Sequence, residues 1–290
     1  MHREPVHWEM PQFQAHQVLA RSVLDGYVLN NFSTESNMKK ILVPSLIALA
    51  VSTLASVAQA QTAPAEPEST LSYNVGAVTD YRYRGISQSR LDPALQGGVD
   101  YADKSGFYVG AWGSTIKWIK DTQGVTSGST ELDLYGGYKF AVGDFAYDLG
   151  FLRYQYAGNN YAKATAGGVN ANTNEVYGAV TYGLFTAKYS HAVSDLFGNV
   201  NSKNSYYLDL SANLDLGNGL SLVPHVGRQA IKNSPGLSYN DVAMTLTKDL
   251  GNGVAISGAV VGTNTSAYTV YNSDKILSKT GVVLGLKYSF

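Results

Sequence analysis

"TGVVLGLKYSF" (280–290) ends the sequence, and its alternation decides the fold. Steps of two set Val282, Leu284, Leu286, Tyr288 and Phe290 on one side and Val283, Gly285, Lys287 and Ser289 on the other. An extended strand sends successive side chains to opposite faces, so this stretch is a strand with one apolar, aromatic face. Terminal residues ordinarily fray. A greasy strand in that place needs a partner strand on each edge and an apolar medium for its outer face.

Working outward, the same period of two runs back through the chain. "LSYNVGAVTDYRYR" (71–84) alternates Leu71, Tyr73, Val75, Ala77, Thr79, Tyr81 and Tyr83 with Ser72, Asn74, Gly76, Val78, Asp80, Arg82 and Arg84. "STELDLYGGYKF" (129–140) and "SYYLDLSANLDL" (205–216) repeat it, and no stretch of similar length shows a helical period. The pattern predicts strands at about 71–84, 94–102, 106–116, 130–140, 145–156, 174–182, 184–192, 205–216, 219–228, 239–249, 253–262 and 281–290. Their connections alternate long and short. The short ones carry "DKS", "AVGD", Gly183 and "LGNG" twice, the Asn-Gly and Gly-Asp pairs that tight hairpins use for positive φ. The long ones run from nine residues (85–93) to eighteen (263–280).

Hairpins that are tight at one end and long at the other predict an all-β fold: a transmembrane antiparallel up-and-down β-barrel of about 12 strands with periplasmic termini. In lipid every backbone polar group needs an internal partner, so the last strand is expected to pair with the first. The aromatic residues suggest two interfacial belts. Tyr73, Tyr101, Phe107, Phe140, Phe145, Tyr147, Tyr182, Phe185, Tyr288 and Phe290 fall at the short-turn rim. Tyr81, Tyr83, Tyr154, Tyr156, Tyr206 and Tyr239 fall at the opposite rim. A soluble β-sandwich explains the alternation but neither the loop asymmetry nor the belts. Pro224 cannot donate to a ladder, so segment 219–228 is expected to carry a bulge or to be wrongly bounded.

Composition agrees. Acidic and basic residues nearly balance, 22 against 21, so the basic footprint of nucleic-acid binding is missing. The chain lacks cysteine, which excludes disulfides and thiolate metal sites. "MKKILVPSLIALAVSTLASVAQA" (38–60) has two lysines, an apolar run and a small-x-small site at Ala58-Gln59-Ala60. It reads as a signal peptide cleaved before Gln61, since the run is too interrupted and too short for a spanning helix. Residues 1–37 are expected to be a spurious extension from an early start, 61–70 a linker, and 71–290 the barrel. Cleavage leaves 230 residues with 17 basic and 18 acidic side chains.

The stretch from 73 to 114, with Thr79-Asp80-Tyr81-Arg82-Tyr83-Arg84-Gly85, Ser87-Gln88, Gly-Phe-Tyr-Val-Gly and Trp112, resembles the TorF-type porin family, also described as the Gcw_chp domain. The resemblance continues through "ELDLYGGYKF" and implies a bacterial outer-membrane barrel, with no catalytic or binding residue to carry over. Gly285, Tyr288 and Phe290 also resemble the C-terminal signal read by the outer-membrane assembly machinery.

Twelve strands about 4.8 Å apart and tilted about 40° enclose a backbone cylinder roughly 24 Å across, leaving on the order of 12 Å between side chains. By register the inner face carries Asp80, Arg82, Arg84, Asp100, Glu131, Asp133, Lys139, Asp148, Glu175, Lys188, Asp209, Asp215, Asp241 and Lys287. Unpaired charges are costly in a dry core, so these predict a watery lumen. The expected function is passive diffusion of ions or small hydrophilic solutes. Acids at the outer mouth (Glu131, Asp133, Glu175, Asp209, Asp241) would favour cations. Arg82 and Arg84 form a basic ladder on one reading, and on the other they pair with lumen acids and brace the wall. The alternative function is a non-conducting adhesin or receptor acting through its long Asn- and Ser-rich loops. A barrel hydrolase is disfavoured, because His191 falls on the outward parity and His225 lacks a neighbouring nucleophile. No His and carboxylate cluster at strand spacing suggests a metal, and no cofactor is expected.

Overall fold

The computed structural model describes residues 69–164 and 167–290. The expected N-terminal extension, signal peptide and cleavage site, with Ala58, Ala60 and Gln61, lie outside the described residues.

Twelve wall strands follow in chain order: β1 (Ser69–Val78), β2 (Ala94–Asp103), β3 (Phe107–Thr115), β4 (Thr130–Val142), β5 (Phe145–Tyr156), β6 (Thr173–Tyr182) and β7 (Phe185–Ala192) come first. Then come β8 (Tyr206–Ala212, continued by Leu214–Gly217), β9 (Leu220–Ala230), β10 (Tyr239–Gly251), β11 (Val254–Thr263) and β12 (Gly281–Ser289). Each pairs antiparallel with the next. β12 returns to β1, from Asn74 opposite Ser289 to Val78 opposite Gly285. The fold is therefore the expected closed up-and-down barrel. Tyr73 and Phe290 finish the seam with two backbone hydrogen bonds, 2.8 and 3.0 Å, and stacked rings 5.6 Å apart. Among the described residues the barrel wall leaves no strand edge open.

Short turns close one end. Both central residues take positive φ in Asn218-Gly219 (52° and 72°) and Asn252-Gly253 (52° and 79°), the geometry that matches strand twist in a two-residue hairpin. The six long loops gather at the other end.

The outer surface inverts a soluble protein. Leu95, Val109, Leu149, Val176, Leu210, Val242, Met244, Val260, Val282 and Leu284 are all exposed on outward strand positions. So continuous an apolar band is stable only against lipid. Below it, at the turn end, rings pack round the rim: Phe107 tilts against Tyr138 (4.7 Å), while Phe140 stacks on Tyr147 (5.0 Å) and Phe145 on Tyr182 (4.8 Å).

Three local expectations need correction. The first strand stops at Val78 instead of running to Arg84. The loop-end aromatic belt does not face lipid, since Tyr81, Tyr154, Tyr156 and Tyr239 are buried inside and only Tyr206 of that set points out. Pro224 causes neither a bulge nor a boundary. It sits opposite Met244 of β10 in an unbroken strand, and on the β8 side the register is the same before (Ser211–His225) and after (Leu214–Leu222) it. The missing N–H simply leaves a gap in that ladder beside Asn213.

Inside, tyrosines lie over glycines of the neighbouring strand. Gly110 is paired with Tyr135, Gly137 with Tyr108, and Gly150 with Tyr177, each glycine giving the ring room against the backbone. The rings cover backbone that would otherwise be bare, and their hydroxyls reach Asp100 from Tyr135 and Asp148 from Tyr108 (2.6 Å).

Candidate functional site

The first long loop, between β1 and β2, does not project outward. It turns into the barrel mouth as a small ribbon in which Arg82–Tyr83 pair with Ile86–Ser87. Gly85 makes the reversal at φ 83°, and Arg84 beside it also takes a left-handed φ of 46°. Asp80 holds the base of the ribbon by accepting from Ser87 Oγ (2.5 Å) and Ser89 Oγ (3.2 Å) and pairing with Arg82.

The ribbon crosses the lumen and touches many wall strands. Arg84 forks onto Glu175 of β6, with Nη1 to Oε1 3.0 Å and Nη2 to Oε2 2.7 Å. Its Nη1 also donates to Gln229 Oε1 of β9 at 2.7 Å. The guanidinium lies 4.3 Å over the Tyr207 ring of β8 and 4.8 Å over Tyr83. Tyr81 donates to Glu131 of β4 at 2.7 Å, and Gly85 packs against Asp241 and Thr263. Arg82 Nη1 donates to the carbonyls of Gly85, Leu277 and Lys279. Both arginines thus make ion pairs, one within the loop and one to the wall.

The other loops lock over this ribbon. The Gln88 carbonyl accepts from Lys117 N (2.8 Å) and Trp118 N (3.0 Å), and the Leu277 carbonyl accepts from Ser87 N. Tyr271 N reaches the Asp121 carbonyl, and Tyr268 donates to the Leu237 carbonyl. Ile116, Ile119 and Val125 bury themselves with Tyr81, Trp112, Leu152, Tyr154 and Tyr156. Phe197 inserts edge-on to Tyr83 and Tyr154, and Trp118 to Tyr156. The loop end therefore has its own apolar core and closes the mouth.

Exposure maps the consequence. Glu131, Asp133, Glu175 and Asp241 face the lumen as the register predicts, yet all are buried beneath the ribbon. The open acidic mouth expected from their register is covered. Asp133 lies between Trp112 and Tyr154, and its buried Oδ1 has no hydrogen-bond partner among the described residues. Toward the turn end Asp100, Lys139, Asp148, Lys188, Asp209 and Lys287 are half-buried, facing a chamber that water reaches from that side. Lys139 and Lys188 sit over the Tyr108 and Tyr177 rings at 4.8 and 4.0 Å.

His225 marks the boundary. Its Nδ1 meets Asp209 Oδ2 and its Nε2 meets Asp241 Oδ1, each at 2.7 Å, with Tyr207 Oη 3.1 Å from Nε2. Carboxylates only accept, so both ring nitrogens donate. The Asp209 side chain is 24% exposed and that of Asp241 1%, so the imidazole bridges wet chamber to dry plug. Outward-facing His191 instead touches Tyr189 and Asn204. Among the described residues no His and carboxylate group is arranged to hold a metal.

Ser89, Tyr207 and Gln229 were not singled out from the sequence, and Tyr81 and Ser87 figured there only as a belt ring and as part of the family resemblance. One signal pointed to the ribbon: a first strand of fourteen residues exceeds the roughly 9–11 that span a bilayer. The C-terminal Gly285, Tyr288 and Phe290 lie together on the closing seam.

The family model described as "Bacterial protein of unknown function (Gcw_chp)" matches residues 61–290. No curated protein matches. Among solved structures, the KdgM porin in complex with disordered oligogalacturonate is 10% identical at a TM-score of 0.46, over 77% of this chain and 99% of that one. The NanC porin is 11% identical at 0.47, over 76% and 99%. An outer membrane channel from Pseudomonas putida F1 is 12% identical at 0.46, over 79% and 99%. At these scores the superpositions add nothing to what the chain's own ladders show.

Proposed function

Because the chain belongs to the Gcw_chp family of bacterial proteins of unknown function, whose description supplies no activity, we propose from its geometry that it is an outer-membrane channel for ions or small hydrophilic solutes. The observation that carries this reading is the half-buried set of Asp100, Lys139, Asp148, Lys188, Asp209 and Lys287 inside a barrel whose outside is apolar. A structural barrel has no need of a charged, wetted interior, because uncompensated charge in a dry core is costly. The turn end faces the periplasm and the long loops face outward, as short turns do in outer-membrane barrels. The family match begins at Gln61, where signal cleavage is expected, which supports export of a mature chain from that residue.

In this reading the first loop is the gate. Passage requires the ribbon to leave Glu175 and Gln229, and the three acids and three bases of the wet chamber make the open pore weakly selective. Protein extracted from bacterial membranes, placed in a planar bilayer across a salt gradient, should show discrete current steps with long closed intervals. A folded, heat-modifiable barrel that never conducts, with the ribbon in place or released, would refute the channel.

One observation favours a second reading. The loops at the outer end share a buried apolar core, Ile116, Ile119, Val125, Trp118 and Phe197 among them, which makes that end a rigid surface. A non-conducting adhesin or receptor barrel would use such a surface, and the failed conductance experiment is the outcome that selects it.

A further inference from the structure

The loop end lacks a continuous aromatic belt on its lipid side, because most of its tyrosines are turned inward and only Tyr189 and Tyr206 face out. Cations stand there instead. Arg153, the second-last outward residue of β5, is half-buried, and its guanidinium is held by neutral partners alone. Nε and Nη2 donate to Gln155 Oε1 at 3.0 and 2.7 Å, and Nη1 donates to Asn174 Oδ1 at 3.1 Å. A guanidinium has five N–H donors. Three are spent on amides, which fix its plane, and one remains on each terminal nitrogen, the fork that grips a phosphate bidentately.

Further round the same rim, Arg228 of β9 is exposed and donates from Nη1 to Asn240 Oδ1 (3.2 Å). Between the two lie His191, Tyr189 and Tyr206, their rings stacked on the outward face. Neither arginine has a carboxylate partner among the described residues. All strand carboxylates at this level, Glu131, Asp133, Glu175 and Asp241, face inward. The adjoining loops from 157 to 172, 193 to 205 and 231 to 238 hold Lys163, Lys203 and Lys232 against a single acid, Asp195. This sector is cationic directly above an apolar band, the level of lipid headgroups.

We propose that the arc from Arg153 to Arg228 binds the phosphate of anionic lipid headgroups in the outer leaflet. The proposal rests on the orientation given above, with loops outward, but not on conduction. Headgroup phosphates would complete the arginine forks, and Tyr189 and Tyr206 would lie along the glycerol or sugar region beneath.

The test is native mass spectrometry of the detergent-extracted protein equilibrated with phosphatidylglycerol or phosphatidylcholine, with inorganic phosphate as a competitor. Each interfacial arginine contributes about fivefold in affinity, so the double variant Arg153→Gln, Arg228→Gln should lose phosphatidylglycerol binding by about twenty-five-fold. Phosphatidylcholine, whose phosphate is offset by its choline, should lose much less, and Arg153→Lys, Arg228→Lys should retain most of the preference. A heat-modifiable gel shift confirms that each variant is folded. Equal retention of the two lipids by the unaltered protein, or an unchanged preference in the glutamine variant, overturns the proposal. Loss of the lipid to millimolar inorganic phosphate alone overturns it too, since a free anion would then suffice.

Discussion

Replacing Arg84 with methionine tests the gate at its latch. The Arg84 and Glu175 side chains are 7% and 1% exposed, so the pair is shielded from salt as well as water. Removing one partner of a buried ion pair costs about 3–5 kcal/mol, because the other charge is left uncompensated. The lost contact with the Tyr207 ring adds about 0.5–2 kcal/mol, in part the same energy counted again. Taking about 3 kcal/mol as the net change, the ratio of inserted to released ribbon falls by about two orders of magnitude. The wall should not change, since the ribbon supplies no hydrogen bond to the twelve-strand ladder. Single-channel recording of Arg84→Met should therefore show open probability rising until it nears saturation, while the heat-modifiable gel shift stays as before. Glu175→Gln keeps an acceptor and should act in the same direction more weakly. The double variant Arg84→Met, Glu175→Leu should close again, because an apolar pair of similar volume can replace a buried ion pair without loss. Identical open probability in the parent and in Arg84→Met would refute the latch.

Further outcomes follow from other contacts. Gly85→Ala places a methyl 2.6 Å from Thr263 Cγ2 and 2.8 Å from Asp241 Cβ, at a φ that alanine resists, so the ribbon should be expelled. Trypsin added to intact cells should then cut after Arg82 or Arg84, and resistance equal to the parent's would contradict the account. His225→Phe removes both donors between Asp209 and Asp241 and should lower thermal stability in detergent by about 2 kcal/mol, less than a full buried pair because Tyr207 still donates to Asp241. An unshifted melting temperature would show that the imidazole bridges nothing of consequence. Phe290→Ala removes the stack on Tyr73, worth about 1 kcal/mol at the closing seam. A smaller assembled fraction on a semi-native gel is expected, and an undiminished yield would remove Phe290 from the anchoring role.

The wall was legible from the sequence nearly residue by residue. β5 runs from Phe145 to Tyr156 as its alternation predicts, and β2, β6, β7, β11 and β12 fall within a residue or two of expectation. That success has a local cause. Strand geometry sends neighbours to opposite faces, lipid selects the apolar face, and Asn-Gly turns fix the register, so every decision is made within about ten residues.

The fate of Asp80, Arg82 and Arg84 was decided elsewhere. Their alternation with Tyr81 and Tyr83 fits a lipid-facing strand as well as it fits the ribbon, and only the excess length of the stretch argues against the strand. What distinguishes them is Glu175, 91 residues further along, and Gln229, 145 residues away, which only the closed cylinder brings within reach of one guanidinium. The inward tyrosines of the loop end follow the same rule. Tyr154 and Tyr156 lie on the lumen side of β5 by parity, but they become a core only because Phe197, Trp118 and Tyr83 arrive from three different loops. By itself the sequence determined the barrel, its strand number, its two unlike ends and the side of the wall that most strand residues face, the loop-end tyrosines excepted. Only the tertiary structure decided that the mouth is shut, because a loop's destination depends on partners distant in sequence whose attraction exists only after the wall has closed around them.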